Sequence, residues 1–235
     1  MDRTYNRIWL LFVLILVFTI LGFYETYFDL FSTIEKIPVL HHFHTLLFLL
    51  WFLLLFIQPF LIHIGNIRLH RFFGKCSYVL MPLIIISVFI LMKRQFQREI
   101  QLLPRETCIA HLIIPLPQLL IFTTMYILAL MNVKHPGVHM RYIIASSLVL
   151  IGPGLGRAFI SLGEIPYEIS VQLSFLMTEL ILIGLILYDR KKRNPYKPYL
   201  VLLAVFLACH LGWFFIPYSS FWQTLGGAFA NLLTS

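Results

Sequence analysis

Histidine is the side chain with the widest chemical reach in this sequence, and its nine copies are unevenly placed. His41, His42 and His44 open one apolar run, His111 opens another, and His210 lies late in a third. His41 and His44 are three residues apart, so a helix presents them on one face. A second set, His63, His70, His135 and His139, falls between or beside the same runs, with Arg71 next to His70 and Arg141 two residues after His139. Two chemistries use imidazoles in this way. A haem iron takes one axial imidazole from each of two helices. On that chemistry His44 or His41 pairs with His111, and His70 pairs with His139, leaving Arg157, Arg71 and Arg141 for the haem propionates. In the second chemistry His41, His44, His111 and His210 surround zinc or another divalent metal, whose bound water cleaves a lipid ester or amide with Glu179 or another acid as base. Glu179 is singled out because a carboxylate inside an apolar run marks function by default. No H-E-x-x-H or similar compact motif accompanies the metal set. A third reading has the histidines line the polar cavity of a transporter or accessory subunit. For His42, His63 and His135 an interfacial position, where water or headgroups satisfy the ring, is account enough.

The elements that must hold these residues are set by composition. Sixty per cent of the chain is apolar or aromatic, 12% is charged and the mean hydropathy is +0.87, too apolar for one soluble domain. About 20 apolar residues in a helix cross a hydrocarbon core of about 30 Å. Seven runs qualify, at 8–24, 39–64, 72–92, 109–131, 142–162, 169–188 and 199–217. Lipid admits only helices or closed barrels, and these runs lack the alternation of a barrel. The expected fold is therefore an all-α integral membrane protein: one seven-helix bundle over residues 1–217, in contact with the lipid bilayer. The tail, 218–235, is expected to lie on the outer surface as an interfacial helix anchored by Phe221 and Trp222. The first run lacks small-x-small cleavage residues and is read as a span, not a signal peptide.

Charge sets the direction. One set of alternate loops carries Arg3, Arg7, Arg68, Arg71, Lys75, Lys134, Arg141, Arg190, Lys191, Lys192, Arg193 and Lys197, which is 12 of the 18 Lys and Arg residues. That side is expected in the cytoplasm with the N-terminus, and the C-terminus outside. His41, His42, His44, His111 and His210 then share the outer leaflet, with Glu179 roughly 16 Å from the outer end of its span by helix rise. The net charge of +8 is scattered between apolar runs instead of forming one basic face, which argues against nucleic acid. Cys76, Cys108 and Cys209 form no C-x-x-C pattern and no disulfide framework. Pro82 sits mid-span, while Pro115 and Pro117 should kink the fourth span near its outer end. Gly152-Pro153-Gly154-Leu155-Gly156 lacks the Lys-Ser/Thr ending of a P-loop; it serves either close helix packing or a break lining a cavity.

One histidine on each of four successive spans, paired second with fourth and third with fifth, resembles the four-helix core of the cytochrome b561-like and ferric-reductase-like membrane families. Over residues 39–162 that resemblance implies a transmembrane electron carrier with two b haems, held by His44, His70, His111 and His139, and a membrane redox partner or quinone. The chain departs from it in having seven runs instead of six and inner ligands at the ends of runs. Gln58 followed by His70-Arg71-Phe72-Phe73-Gly74 is also similar to uncharacterised bacterial membrane proteins with a Gln in one span and His-Arg-x-x-Gly before the next. The Phe, Ile and Lys usage suits a bacterial inner membrane, so the expected location is multi-pass in the cytoplasmic membrane.

Overall fold

The computed structural model describes residues 8–29 and 37–234, and every regular element among them is helical. In chain order these are α1 (Ile8–Gly22), a π-helical turn (Tyr24–Phe28), α2 (Val39–His63), α3 (Ile67–Glu99), α4 (Arg105–His111) and α5 (Pro115–Met131). They continue with α6 (Pro136–Leu148), α7 (Ile151–Ser161), α8 (Tyr167–Lys191), α9 (Lys197–Phe215) and α10 (Ser220–Thr234). Six stretches are long and apolar enough to cross a membrane: α2, α3, α4 with α5, α6 with α7, α8 and α9. They are the second to seventh expected runs, and they make the chain a multi-pass helical membrane protein. The first run forms a shorter apolar helix of 15 residues.

Proline explains the two interruptions. A proline ring lacks an N–H and collides with the carbonyl four residues earlier. Pro115 and Pro117 act in this way on His111 and Ile113, and the chain leaves the helix over 112–114. Pro153 acts on Val149, and the helix breaks at 149–150 before resuming as α7. Pro59 and Pro82, by contrast, are accommodated inside continuous helices.

The main core gathers inward-facing residues of α1, α2, α3, α5, α6, α7, α8 and α9, among them Ile15, Trp51, Ile84, Phe122, Leu148, Leu182 and Leu202. Large side chains such as Phe60, Phe72, Val79, Leu120, Leu180 and Phe215 remain exposed, the surface a bilayer covers. α3, with 33 residues, is about 50 Å long and outreaches a hydrocarbon core of about 30 Å. Against its C-terminal end α4 and α10 build a second small core of Met92, Phe96, Cys108, Ile109, Leu112, Trp222, Ala230 and Leu233. The C-terminal tail therefore differs from its expected role. It is helical, but Trp222 is buried and its indole N–H donates to the Ile109 carbonyl at 2.9 Å, so this residue locks α10 to α4 while Phe221 stays exposed.

The glycine series of α7 is a packing device. Gly154 touches α1, where an added Cβ would stand 2.8 Å from the Phe18 carbonyl oxygen, and Gly22 of α1 faces Gly154 in turn. Gly152 faces Gln118 of α5, and Gly156 faces Ser174 of α8. Gly154→Val should then push α1 off α7 and cost about 1–3 kcal/mol. Thermal unfolding in detergent should show a clear drop in midpoint for Gly154→Val and little change for Gly184→Ala, whose added methyl meets open space.

Candidate functional site

His44, Trp51 and Gln58 are spaced by seven on α2, so they form one stripe facing α3 and α5. On α3 His70 and Ser77 are likewise seven apart, and Ser87 continues the same face. Between the two stripes runs an unbroken series of contacts. The His44 ring lies 4.8 Å from that of Phe48, Phe48 lies 6.5 Å from Phe122, and Trp51 touches both Phe122 at 5.5 Å and Tyr126 at 5.7 Å. The Tyr126 hydroxyl bonds the Ser77 hydroxyl at 2.8 Å, and Ser77 in turn bonds the Gly74 carbonyl. From His44 to Gln58 this column covers about 21 Å of helix rise.

At the end of the column nearer the α2–α3 turn, the inner end of the expected topology, stand Gln58, His70, Gly74 and His139. The four residues come from α2, α3 and α6. Gln58 Nε2 lies against Gly74, where a Cβ would be 4.0 Å away, so the Gln and the His-Arg-x-x-Gly segment are joined in space. His70 and His139 are near enough for their charges to interact. His139 is fixed through Nδ1, which bonds the Ala129 carbonyl of α5 at 2.7 Å and leaves Nε2 for another partner. Among the described residues, both polar atoms of the Gln58 side-chain amide, Nδ1 of His70 and Nε1 of Trp51 are buried without a hydrogen-bond partner. Such groups cost free energy unless something else meets them.

At the end nearer the start of α2, the outer end of the expected topology, His44 is held by a 3.0 Å bond from its Nδ1 to the Ser87 hydroxyl, again leaving Nε2. His41, one turn earlier, has a buried Nδ1 with no hydrogen-bond partner among the described residues. The Arg157 charge reaches His44, and its guanidinium lies 4.8 Å from the Phe23 ring centroid.

The remaining expected residues lie elsewhere. His111 bonds Glu99 at 3.1 Å beside the α4–α10 lobe. Its anchor Glu99 and the His44 anchor Ser87 are about 18 Å apart along α3, so the structure does not set His44 and His111 face to face. His210 is held on both sides, Nδ1 by Glu179 at 3.0 Å and Nε2 by Gln172 at 2.6 Å, with its ring stacked between Phe175 and Phe214. His41, His44, His111 and His210 thus sit in different surroundings. Among the described residues no group of three or more His, Cys, Asp or Glu is arranged to hold a metal ion. Arg141 differs from its expected role as well: it is wholly buried in a two-pronged ion pair with Asp189, at 2.6 and 2.8 Å, and is not free for a propionate. No family model, curated protein or solved structure matches the chain.

Sequence reading missed Asp189, Gln172, Ser77 and Tyr126. The seven-residue spacing of His44, Trp51 and Gln58 was the available signal for the column. Nothing in the linear order tied Asp189, at the head of a basic run, to Arg141. Breaking that pair leaves a lone charge in the interior, so Arg141→Gln or Asp189→Asn should destabilise by about 3–5 kcal/mol. The double change Arg141→Met with Asp189→Leu should recover most of that loss when unfolding midpoints of the four proteins are compared.

Proposed function

We propose that this chain is a redox protein of the bacterial inner membrane whose inner histidine pair, His70 and His139, holds haem b for electron transfer across the bilayer. The observation that carries the reading is the column: two imidazole stations at opposite ends of the same core, bridged by ring contacts and by the Ser77–Tyr126 bond. A haem needs only one imidazole from each of two helices, which suits a chain whose histidines are paired instead of clustered. His139 already presents the fixed-tautomer geometry of an axial ligand, with Nδ1 on a backbone carbonyl. The unmet polar atoms of Gln58 and His70 support a ligand at this end, and exposed Arg71 beside them suits propionates. Haem b there would supply a one-electron carrier, and a quinone or a membrane redox protein would be its partner. The hydrolase reading has less support, because both nitrogens of His210 and the Glu179 carboxylate are already used to join α8 and α9.

The same proposal takes α1 as a seventh span, with the N-terminus in the cytoplasm and the C-terminus outside. Helix runs on through Thr19–Phe23 and Phe23–Tyr27 backbone bonds, so residues 8–28 reach about 31 Å. The end bearing Arg68, Arg71, Lys75 and 190–193 is the more basic and takes the cytoplasmic side.

Full-length protein expressed with haem supplied should show a Soret band and a reduced-minus-oxidised α band. Both should vanish in His70→Ala and in His139→Ala and persist in His63→Ala. Wild-type protein without either band would end the haem proposal. Topology is checked separately with Lys192→Cys in a background where Cys76, Cys108 and Cys209 are replaced. An impermeant maleimide should label it in inside-out vesicles and not in intact cells.

A further inference from the structure

The first turns of α3 carry Arg68, Arg71 and Lys75. With Ile67 and Phe72, these three line one open cavity of about 370 Å³, at the end of the bundle where α2 turns into α3. The lining holds no acid, and none of the three cations makes an ion pair among the described residues. The α2–α3 hairpin offers no counter-ion close by, since no Asp or Glu stands between Glu35 and Glu99 in the sequence. Three like charges share a cavity and nothing in its wall balances them.

Deeper along the helix the same face changes character. Arg68, Phe72, Lys75, Val79, Leu83 and Ile86 follow one another at intervals of three or four residues, so they form a single stripe. Phe72, Val79, Leu83 and Ile86 are exposed on it. The side of α3 that carries Ser77, Leu80, Ile84 and Ser87 is buried, with Ser77 bonded to Tyr126 of α5 and Ser87 to His44 of α2. From Lys75 to Ile86 the exposed stripe covers about 17 Å of helix rise. A soluble anion would use only the basic end of this face. A phospholipid uses both parts, because the guanidinium fork and the ammonium match phosphate oxygens while the apolar stripe receives hydrocarbon.

We propose that the Arg68–Lys75 cavity binds the headgroup of an anionic phospholipid, whose acyl chains lie along the Phe72–Val79–Ile86 stripe of α3. The occupant follows from charge complementarity at the cavity and from the unbroken passage of the same helix face into exposed apolar residues. Arg71 lines the cavity too and also suits a haem propionate, so the test leaves it in place. The site is independent of haem at His70 and His139.

The test uses the full chain in dodecyl maltoside micelles, with the thermal midpoint as readout, since a ligand bound only to the folded state raises it saturably. Dihexanoylphosphatidylglycerol is the probe, and dihexanoylphosphatidylcholine and inorganic phosphate are its comparisons. Phosphatidylglycerol should raise the midpoint saturably and at lower concentration than either comparison. The double change Arg68→Gln with Lys75→Gln should weaken it by about tenfold or more, each cation beside an anionic lipid being worth about a factor of five. Phe72→Ala should weaken it several-fold, and serves alone if the double variant does not fold. The triple change of Lys191, Lys192 and Arg193 to Gln should leave it unchanged. Four outcomes would overturn the proposal: no saturable response, an equal response to phosphatidylcholine or to inorganic phosphate, an unchanged response in the site variants, or an equal loss in the triple variant.

Discussion

Inside a hydrocarbon slab every polar group must find its partner within the chain, and this bundle depends on how it meets that demand. The strictest case is the fully buried Arg141–Asp189 pair, which joins the start of α6 to the end of α8. Asn194 adds a bond to Asp189, and the Gly137 carbonyl accepts from Arg141, so the remaining donors and lone pairs are used locally. The Glu179–His210–Gln172 chain does the same work between α8 and α9. Hydroxyls within the spans are satisfied more cheaply. Thr19, Ser87, Ser147, Ser174 and Thr178 each donate to a carbonyl three or four residues earlier on their own helix. With these groups settled, the unmet ones stand out, and most of them line the α2 column or its two ends.

Where helices break decides which residues can meet. Pro115 and Pro117 stop α4 after His111, and the α4 segment turns with α10 into the small outer core around Trp222. His111 goes with it, towards Glu99 and away from the His44–Ser87 bond. Beyond the break α5 returns to the main core and delivers Phe122 and Tyr126 to α2. Pro153 interrupts the fifth apolar run in a comparable way, and the glycines around it keep α7 narrow enough for α1, α5 and α8 to approach it on separate faces. One residue type therefore separates two histidines that sequence order would pair, while another lets neighbouring helices close on α7.

Much of the fold was legible because it depends on composition alone. Runs of apolar residues, the prolines that end helices and the basic loops are local properties, and six long helices appear where the runs stand. The site was legible only in part. His44, His70, Gln58 and Gly74 were marked by type and spacing, and Gln58 does lie against Gly74. His111 and His210 share an outer position with His44 in the linear order, yet the His111 anchor Glu99 stands about 18 Å along α3 from the His44 anchor Ser87, and His210 faces Glu179 and Gln172. Asp189 looked like a loop residue because its partner lies 48 positions away. Trp222 suggested a surface anchor because aromatic residues favour membrane interfaces, while its indole N–H was claimed by the Ile109 carbonyl.

The two ends of the column differ in chemical kind, and that difference follows from which partners are missing. At the inner end the unmet groups include an acceptor, Gln58 Oε1, beside the Gln58 amide donors and a histidine ring nitrogen that can serve as either. A neutral group offering both donors and acceptors, or a metal centre on imidazole, matches such a set. At the other end the unmet group is a single ring nitrogen of His41, while His44 is settled on Ser87, and the ring contacts that join the two ends need no charge to be buried at mid-membrane.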